Sequence, residues 1–103
     1  MANQEHLANL KRGVEAWNPW KKQHPEIRPD LSLTDLSGLD LTNIDLSASD
    51  LHGTNLSDAT LIGANLTGAN LSQVDLGGAD LSCAKLSGAD VSEIGRASCR
   101  ERV

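Results

Sequence analysis

The sequence predicts a repeat solenoid preceded by a short helical segment, and three observations predict it. Leucine recurs at every fifth residue from Leu31 to Leu86, and Val91 stands at the next position in the series. The residue immediately before these is Asp or Asn in eleven of thirteen repeats, and the residue two before is mostly small or apolar. Ahead of Pro29 the composition changes, and apolar residues fall at helical spacing instead.

The thirteen rungs are Leu31, Leu36, Leu41, Leu46, Leu51, Leu56, Leu61, Leu66, Leu71, Leu76, Leu81, Leu86 and Val91. A period of five matches neither the 3.6 residues of a helix nor the two of a strand, so neither regular element buries every rung on one side. The chain must therefore turn once per repeat. Glycine recurs two residues after the rung, as at Gly53 and Gly78, which suits a turn that needs positive φ. Two residues before the rung stand Ala59, Ala64, Ala69, Ala79, Ala84 and Ala89, with Leu39, Ile44 and Val74 larger and Thr34, Ser49 and Thr54 polar.

Units such as Ala64-Asn65-Leu66-Thr67-Gly68 resemble the pentapeptide-repeat family, over Pro29 to about Ser92. The resemblance implies an all-β solenoid, a right-handed quadrilateral β-helix with four repeats to a coil and about three coils, with rung and preceding small residue both inward. Each rung then stacks on the one twenty residues later, about 4.8 Å away as neighbouring strands are. The ladders are Leu31/Leu51/Leu71/Val91, Leu36/Leu56/Leu76, Leu41/Leu61/Leu81 and Leu46/Leu66/Leu86. Leu39 and Ile44 make the first coil the widest or most irregular. Stacked carboxylates would repel, and the second coil answers with Asn55, Thr60, Asn65 and Asn70, which leaves only Asp30 and Asp50 in direct register.

Leu7, Leu10, Val14 and Trp17 predict an amphipathic helix from Gln4, with Asn3 as its N-cap and a kink or restart at Asn18-Pro19. The expected organisation is a helical cap over residues 1–24, a connector over 25–28, repeats over 29–92 and a disordered tail over 93–103. The opening resembles the leaders of bacterial pentapeptide-repeat proteins, including the approach Ile27-Arg28-Pro29-Asp30-Leu31. The tail abandons the repeat and reverses charge. It resembles the conceptual translation of a sequencing-adapter oligonucleotide, so the chain is expected to be a truncated piece of a longer protein.

The net charge of −5 is unevenly placed: residues 1–28 carry +2, residues 29–93 carry −9 and residues 94–103 carry +2. An acidic body repels phosphates and argues against direct contact with nucleic acid. No signal-peptide pattern and no membrane-length apolar run occurs, so the expected location is cytoplasmic, away from membranes. Cys83 and Cys99 form no disulfide framework, and His6, His24 and His52 have no ligand spacing among them. No triad, phosphate loop or paired-carboxylate motif appears. The expectation is a protein that is not an enzyme, with no catalytic, cofactor-binding or metal-binding residue and no small-molecule substrate.

That leaves a scaffold presenting acidic, Ser/Thr-rich faces to an unknown protein partner. Trp17 is expected to pack on the first coil, and Trp20, the more open of the two, is the candidate partner anchor. The alternative is a DNA mimic that binds type II topoisomerases and protects gyrase, as the resemblance allows. Against it stand the short repeat region and the neutral second coil. An ice-binding face would need Thr where the residue after each rung is mainly Ser.

Overall fold

The computed structural model describes residues 3–91 and 100–102 of the chain. Helix α1 spans Gln4–Lys11. Asn3 caps it as expected: its Oδ1 accepts the N–H groups of Glu5 at 2.8 Å and His6 at 3.2 Å, two of the donors a first turn leaves unpaired. Glu5 in the first turn and Lys11 in the last both complement the helix dipole.

The break that was expected at Pro19 falls at Gly13 instead. Helix α2 spans Val14–Gln23 and contains Pro19 in its interior. Gly13 takes φ 106°, a left-handed conformation that side chains resist, so the chain reverses there. Asn18 does not restart a helix because its amide is used elsewhere. It donates from Nδ2 to the Asn43 carbonyl at 3.0 Å and accepts the Asp45 N–H on Oδ1 at 2.9 Å. Pro19 deprives the Glu15 carbonyl of its helical donor, and Glu15 lies on the exposed side.

From Asp30 onward the backbone pairs with itself at a fixed offset of twenty residues. Parallel bridges join Asp30 to Asp50, Asp35 to Asn55, Asp40 to Thr60, Asp45 to Asn65, and so on to Asn70 with Asp90. The hydrogen bonds form two series, one from the N–H two residues after a rung to the carbonyl nineteen later, as Leu33 to His52, and one at the residue before the rung. The residue before a rung gives its N–H to the residue twenty-one earlier, as Asn55 does to Thr34, and its carbonyl accepts from the rung nineteen earlier, as Asn55 does from Leu36. These are bridges of single residues because a tight turn occupies the remainder of each repeat. From Leu41 to Leu86, each rung carbonyl accepts the N–H three residues on. The residue two after every rung from Leu31 to Leu86 has positive φ, which makes these type II turns.

The rungs from Leu31 to Leu81 are all buried, none more than 3% exposed, and Ile44, Ala59, Ala64, Ala69, Val74, Ala79 and Ala84 are buried beside them. Two expected rungs differ. Leu86 is only half-buried, and Val91 is 48% exposed and does not belong to the core. Both lie in the last repeats before residue 92.

At the opposite end α1 and α2 lie against the first repeats. Trp17 is fully buried, and its Nε1 donates to the Asp45 carbonyl at 2.7 Å. The Asn3 N–H donates to the Asp30 carbonyl, while the Asp30 N–H donates to His6 Nδ1 at 3.0 Å. Lys21 is 7% exposed, its stem lying along the core and its Nζ donating to Ser47 Oγ.

The strands are β1, Asp80–Ser82, and β2, Arg100–Arg102, paired in parallel with Asp80 opposite Arg100. The tail was expected to be disordered from residue 93. At 100–102 its backbone keeps the twenty-residue register along the edge of the last repeats. Residues 92–99 and 103 lie outside the described residues.

Candidate interaction surface

The Asp or Asn before each rung is held in place by its own repeat. Its Oδ1 accepts the backbone N–H two residues on, as in Asp35 from Ser37 at 3.0 Å, Asn65 from Thr67 at 3.1 Å and Asp75 from Gly77 at 2.9 Å. Where Ser or Thr follows the rung, its hydroxyl often donates to the same oxygen, as Ser37 does to Asp35 at 2.7 Å and Thr42 to Asp40 at 2.6 Å. Such Asx turns are why the position takes Asp or Asn and why Ser or Thr follows. The repeat pattern itself held this signal: a short acceptor two residues before a donor, between a small residue and a leucine. As charges these side chains only face outward; as acceptors they close the turn.

Three of these carboxylates are held below the usual value of 3.8. The hydroxyl bond from Ser32 acts most strongly on Asp30, that of Ser37 on Asp35 and that of Thr42 on Asp40, with the backbone N–H of the same residue adding to each. All three are therefore ionised at neutral pH. The bridge register sets Asp35 against Asn55, Asp40 against Thr60, Asp45 against Asn65 and Asn65 against Lys85, and it sets only Asp30 directly against Asp50. The alternation of charge is the one expected from the sequence.

His52 Nδ1 lies 2.7 Å from Ser72 Oγ, and that hydroxyl is also 2.7 Å from Asn70 Oδ1. Serine has a single proton to give, so a neutral His52 that keeps both contacts carries its own on Nδ1. The remaining histidines sit around Trp20. His6 and His24 rings lie 5.4 and 5.3 Å from it, Trp17 lies 5.1 Å away, and His24 Nδ1 donates to the Trp20 carbonyl at 2.9 Å. Trp20 is thus half-buried in a cluster of tilted rings, beside a groove of about 440 Å³ lined by Glu5, His6, Asn9, Trp20, His24 and Ile27 among others. Cys83 is exposed with a free thiol, and Cys99 lies outside the described residues. Among the described residues no group of three His, Cys, Asp or Glu converges in a way that would hold a metal, and no helix is long and apolar enough to cross a membrane.

Five-residue units, bridged to themselves at an offset of twenty with leucine inward and an Asx turn outward, define a class of repeat protein. Residues 30–68 and 61–94 match the family of pentapeptide repeats, in eight copies, and the chain belongs to that family. Among solved structures it is similar to alr5209, a pentapeptide repeat protein from Nostoc Pcc 7120, at 33% identity over 76% of this chain and 74% of that one, with a TM-score of 0.44. Rfr23 from the cyanobacterium Cyanothece 51142 is 33% identical over 70% of this chain, with a TM-score of 0.33. HetL from Nostoc sp. strain PCC 7120, a pentapeptide repeat protein involved in heterocyst differentiation regulation, is 31% identical over 63% of this chain, with a TM-score of 0.34. The chain spans 57% of the length of Rfr23 and 41% of that of HetL. No curated protein matches it.

Proposed function

We propose that this chain is a non-catalytic interaction scaffold: about three coils of a right-handed quadrilateral β-helix, closed at the N-terminal end by α1 and α2, that present ordered polar faces to a protein partner in the cytoplasm. The observation that carries this reading is the lattice of Asp and Asn side chains, each fixed by the backbone N–H two residues on. Side chains already immobilised lose little rotamer entropy when a partner covers them, so such a face binds at lower entropic cost than one of free carboxylates. Trp20, held rigid among His6, Trp17 and His24 at the edge of its groove, suits the role of anchor.

Affinity capture from a bacterial lysate with the wild-type chain and with Trp20→Ala tests the proposal. A partner retained by the wild type and lost by a folded Trp20→Ala variant supports the anchor. Equal retention by both removes Trp20 from the interface.

The alternative, a DNA mimic that binds a topoisomerase, meets an obstacle in the register. Asn55, Thr60, Asn65 and Asn70 interrupt the carboxylates, so no face carries the unbroken charge of a phosphate backbone. A gyrase supercoiling assay separates the two: inhibition or protection at micromolar chain favours the mimic, and an unchanged reaction favours the scaffold.

A further inference from the structure

The first repeats lack a partner along one stretch of backbone. In every later repeat, the residue before the rung gives its N–H to the residue twenty-one earlier and its carbonyl accepts from the rung nineteen earlier. The four first residues of this kind, Asp30, Asp35, Asp40 and Asp45, have no repeat above them. The helices replace it at two of the four. His6 Nδ1 and the Asn3 N–H take the N–H and carbonyl of Asp30, and Asn18 Oδ1 and Trp17 Nε1 take those of Asp45. At Asp35 and Asp40, no group among the described residues takes either.

Of the two open positions, Asp40 is the one beside Gly13, where α1 and α2 part. It lines a cleft of about 290 Å³ with Leu10, Lys11, Leu39 and Leu41, and a second of about 450 Å³ with Arg12, Glu15 and Thr42. An N–H and a carbonyl flanking one residue in this register are satisfied by an extended strand running parallel to the coil. Its residue before the register point accepts from Asp40, and its residue after the point donates to Asp40.

We propose that this edge docks an extended segment of a protein partner by parallel strand addition at Asp40, with an apolar side chain in the Leu10/Leu39/Leu41 cleft and a Lys or Arg beside the Asp40 and Glu15 carboxylates. The proposal rests on the scaffold reading and names the chemistry of its partner. The same column of the solenoid already accepts a strand that is not a repeat: β2, of sequence Arg-Glu-Arg, pairs in parallel at Asp80, which lies in register with Thr60 and, through it, with Asp40. In the clefts themselves Lys11 and Arg12 balance Asp40 and Glu15, so the net −9 of residues 29–93 beyond them decides for a basic occupant over an acidic one. Strand addition of this kind takes its affinity from main-chain hydrogen bonds and its selectivity from the side-chain pocket.

The test titrates the full ¹⁵N-labelled chain with the peptide acetyl-Lys-Leu-Lys-Val-Lys-amide, its Glu-for-Lys counterpart, and a form N-methylated at the central residues. The expected result is saturable shifts of the Gly13, Asp40 and Thr42 amides, with exchange of the Asp40 N–H slowed about tenfold or more by the basic peptide. The acidic and the methylated peptides should leave both unchanged. Saturable binding at Trp20 or on the lateral faces with Asp40 unmoved overturns the edge and leaves the scaffold reading standing. Absence of any shift at about millimolar peptide, a concentration that reveals even weak complexes, overturns the edge as well. Equal binding of the acidic peptide overturns the assigned charge.

Discussion

The side chain of Leu33 lies over Gly53, twenty residues on, so closely that a β-carbon on Gly53 would stand 2.6 Å from Leu33 Cδ2. Asn43 covers Gly63 and Asp58 covers Gly78 in the same way. These are corner residues, two after the rung, and three of the four corner columns set a large side chain next to glycine, as in Leu33, Gly53, Gln73 and Gly38, Asp58, Gly78, while the fourth runs Ala48, Gly68, Gly88. A side chain held at positive φ leans along the stack and occupies the volume that the next corner would need.

Gly53→Ala therefore loses stability in two parts. The φ of 66° costs alanine about 1–2 kcal/mol, and the contact with Leu33 adds to that. Because Leu33 is exposed and its tip can swing aside, the second part should be small, about 0.5–1 kcal/mol of coupling in a double-mutant cycle with Leu33→Ala. Urea unfolding of the four proteins in the cycle measures it, and strict additivity would place the two side chains out of contact.

Ala48 sits at φ 61° with no such compensation. Ala48→Gly should stabilise by about 0.5–1 kcal/mol, the relief of the left-handed backbone exceeding the entropy glycine gains in the unfolded chain. A rise in the thermal midpoint checks it.

Ser49 and Thr54 make a contrasting pair, both fully buried two residues before a rung. Thr54 Oγ1 donates to the Leu31 carbonyl at 2.7 Å, whereas Ser49 Oγ has no partner among the described residues. Ser49→Ala should gain about 1 kcal/mol, since it removes an unpaired polar atom, and Thr54→Val should lose about as much. Alanine and valine already fill these sites one repeat cycle later, at Ala69 and Val74. Paired denaturation curves that move in opposite directions are the expected outcome.

Strong acid should withdraw support from the first repeats. The carboxyls of Asp30, Asp35 and Asp40 lie below 3.8 in the folded chain, so each contributes stability that is complete above that value and is lost as pH falls through the lowered folded one. Ser37→Ala removes the larger support of Asp35 and should return its titration toward 3.8 while leaving Asp40 unchanged. Carboxyl carbon shifts followed from pH 6 to pH 2, a range chosen to span about two units either side of an ordinary aspartate, give the reading.

The leucine ladder was legible because a period of five admits no regular element, and the alternation of Asp with Asn, Thr and Lys followed once the offset of twenty was in hand. The Asx turns were equally present in the residues around each rung but were masked by their charge, which invited an electrostatic account of a hydrogen-bonding position. The helix break was misplaced because Pro19 is the stronger local signal. Gly13 prevails through a tertiary cause: α2 must start early enough to bring Trp17 and Asn18 onto Asp45 and Asn43, which no local propensity encodes. Val91 shares the pattern of a rung, and nothing in that pattern separates the exposed end of the ladder from its buried middle. The open backbone at Asp40 could not be read from sequence at all, since it depends on where the two helices part.

Residue-resolved amide exchange of the native chain tests the fixed offset of twenty most directly. The account predicts slow exchange for the N–H groups of Asn55, Thr60, Asn65 and Asn70, each donated to the residue twenty-one earlier, and fast exchange for those of Asp35 and Asp40. Fast exchange at the first four, or protection of Asp35 and Asp40 equal to theirs, would contradict it.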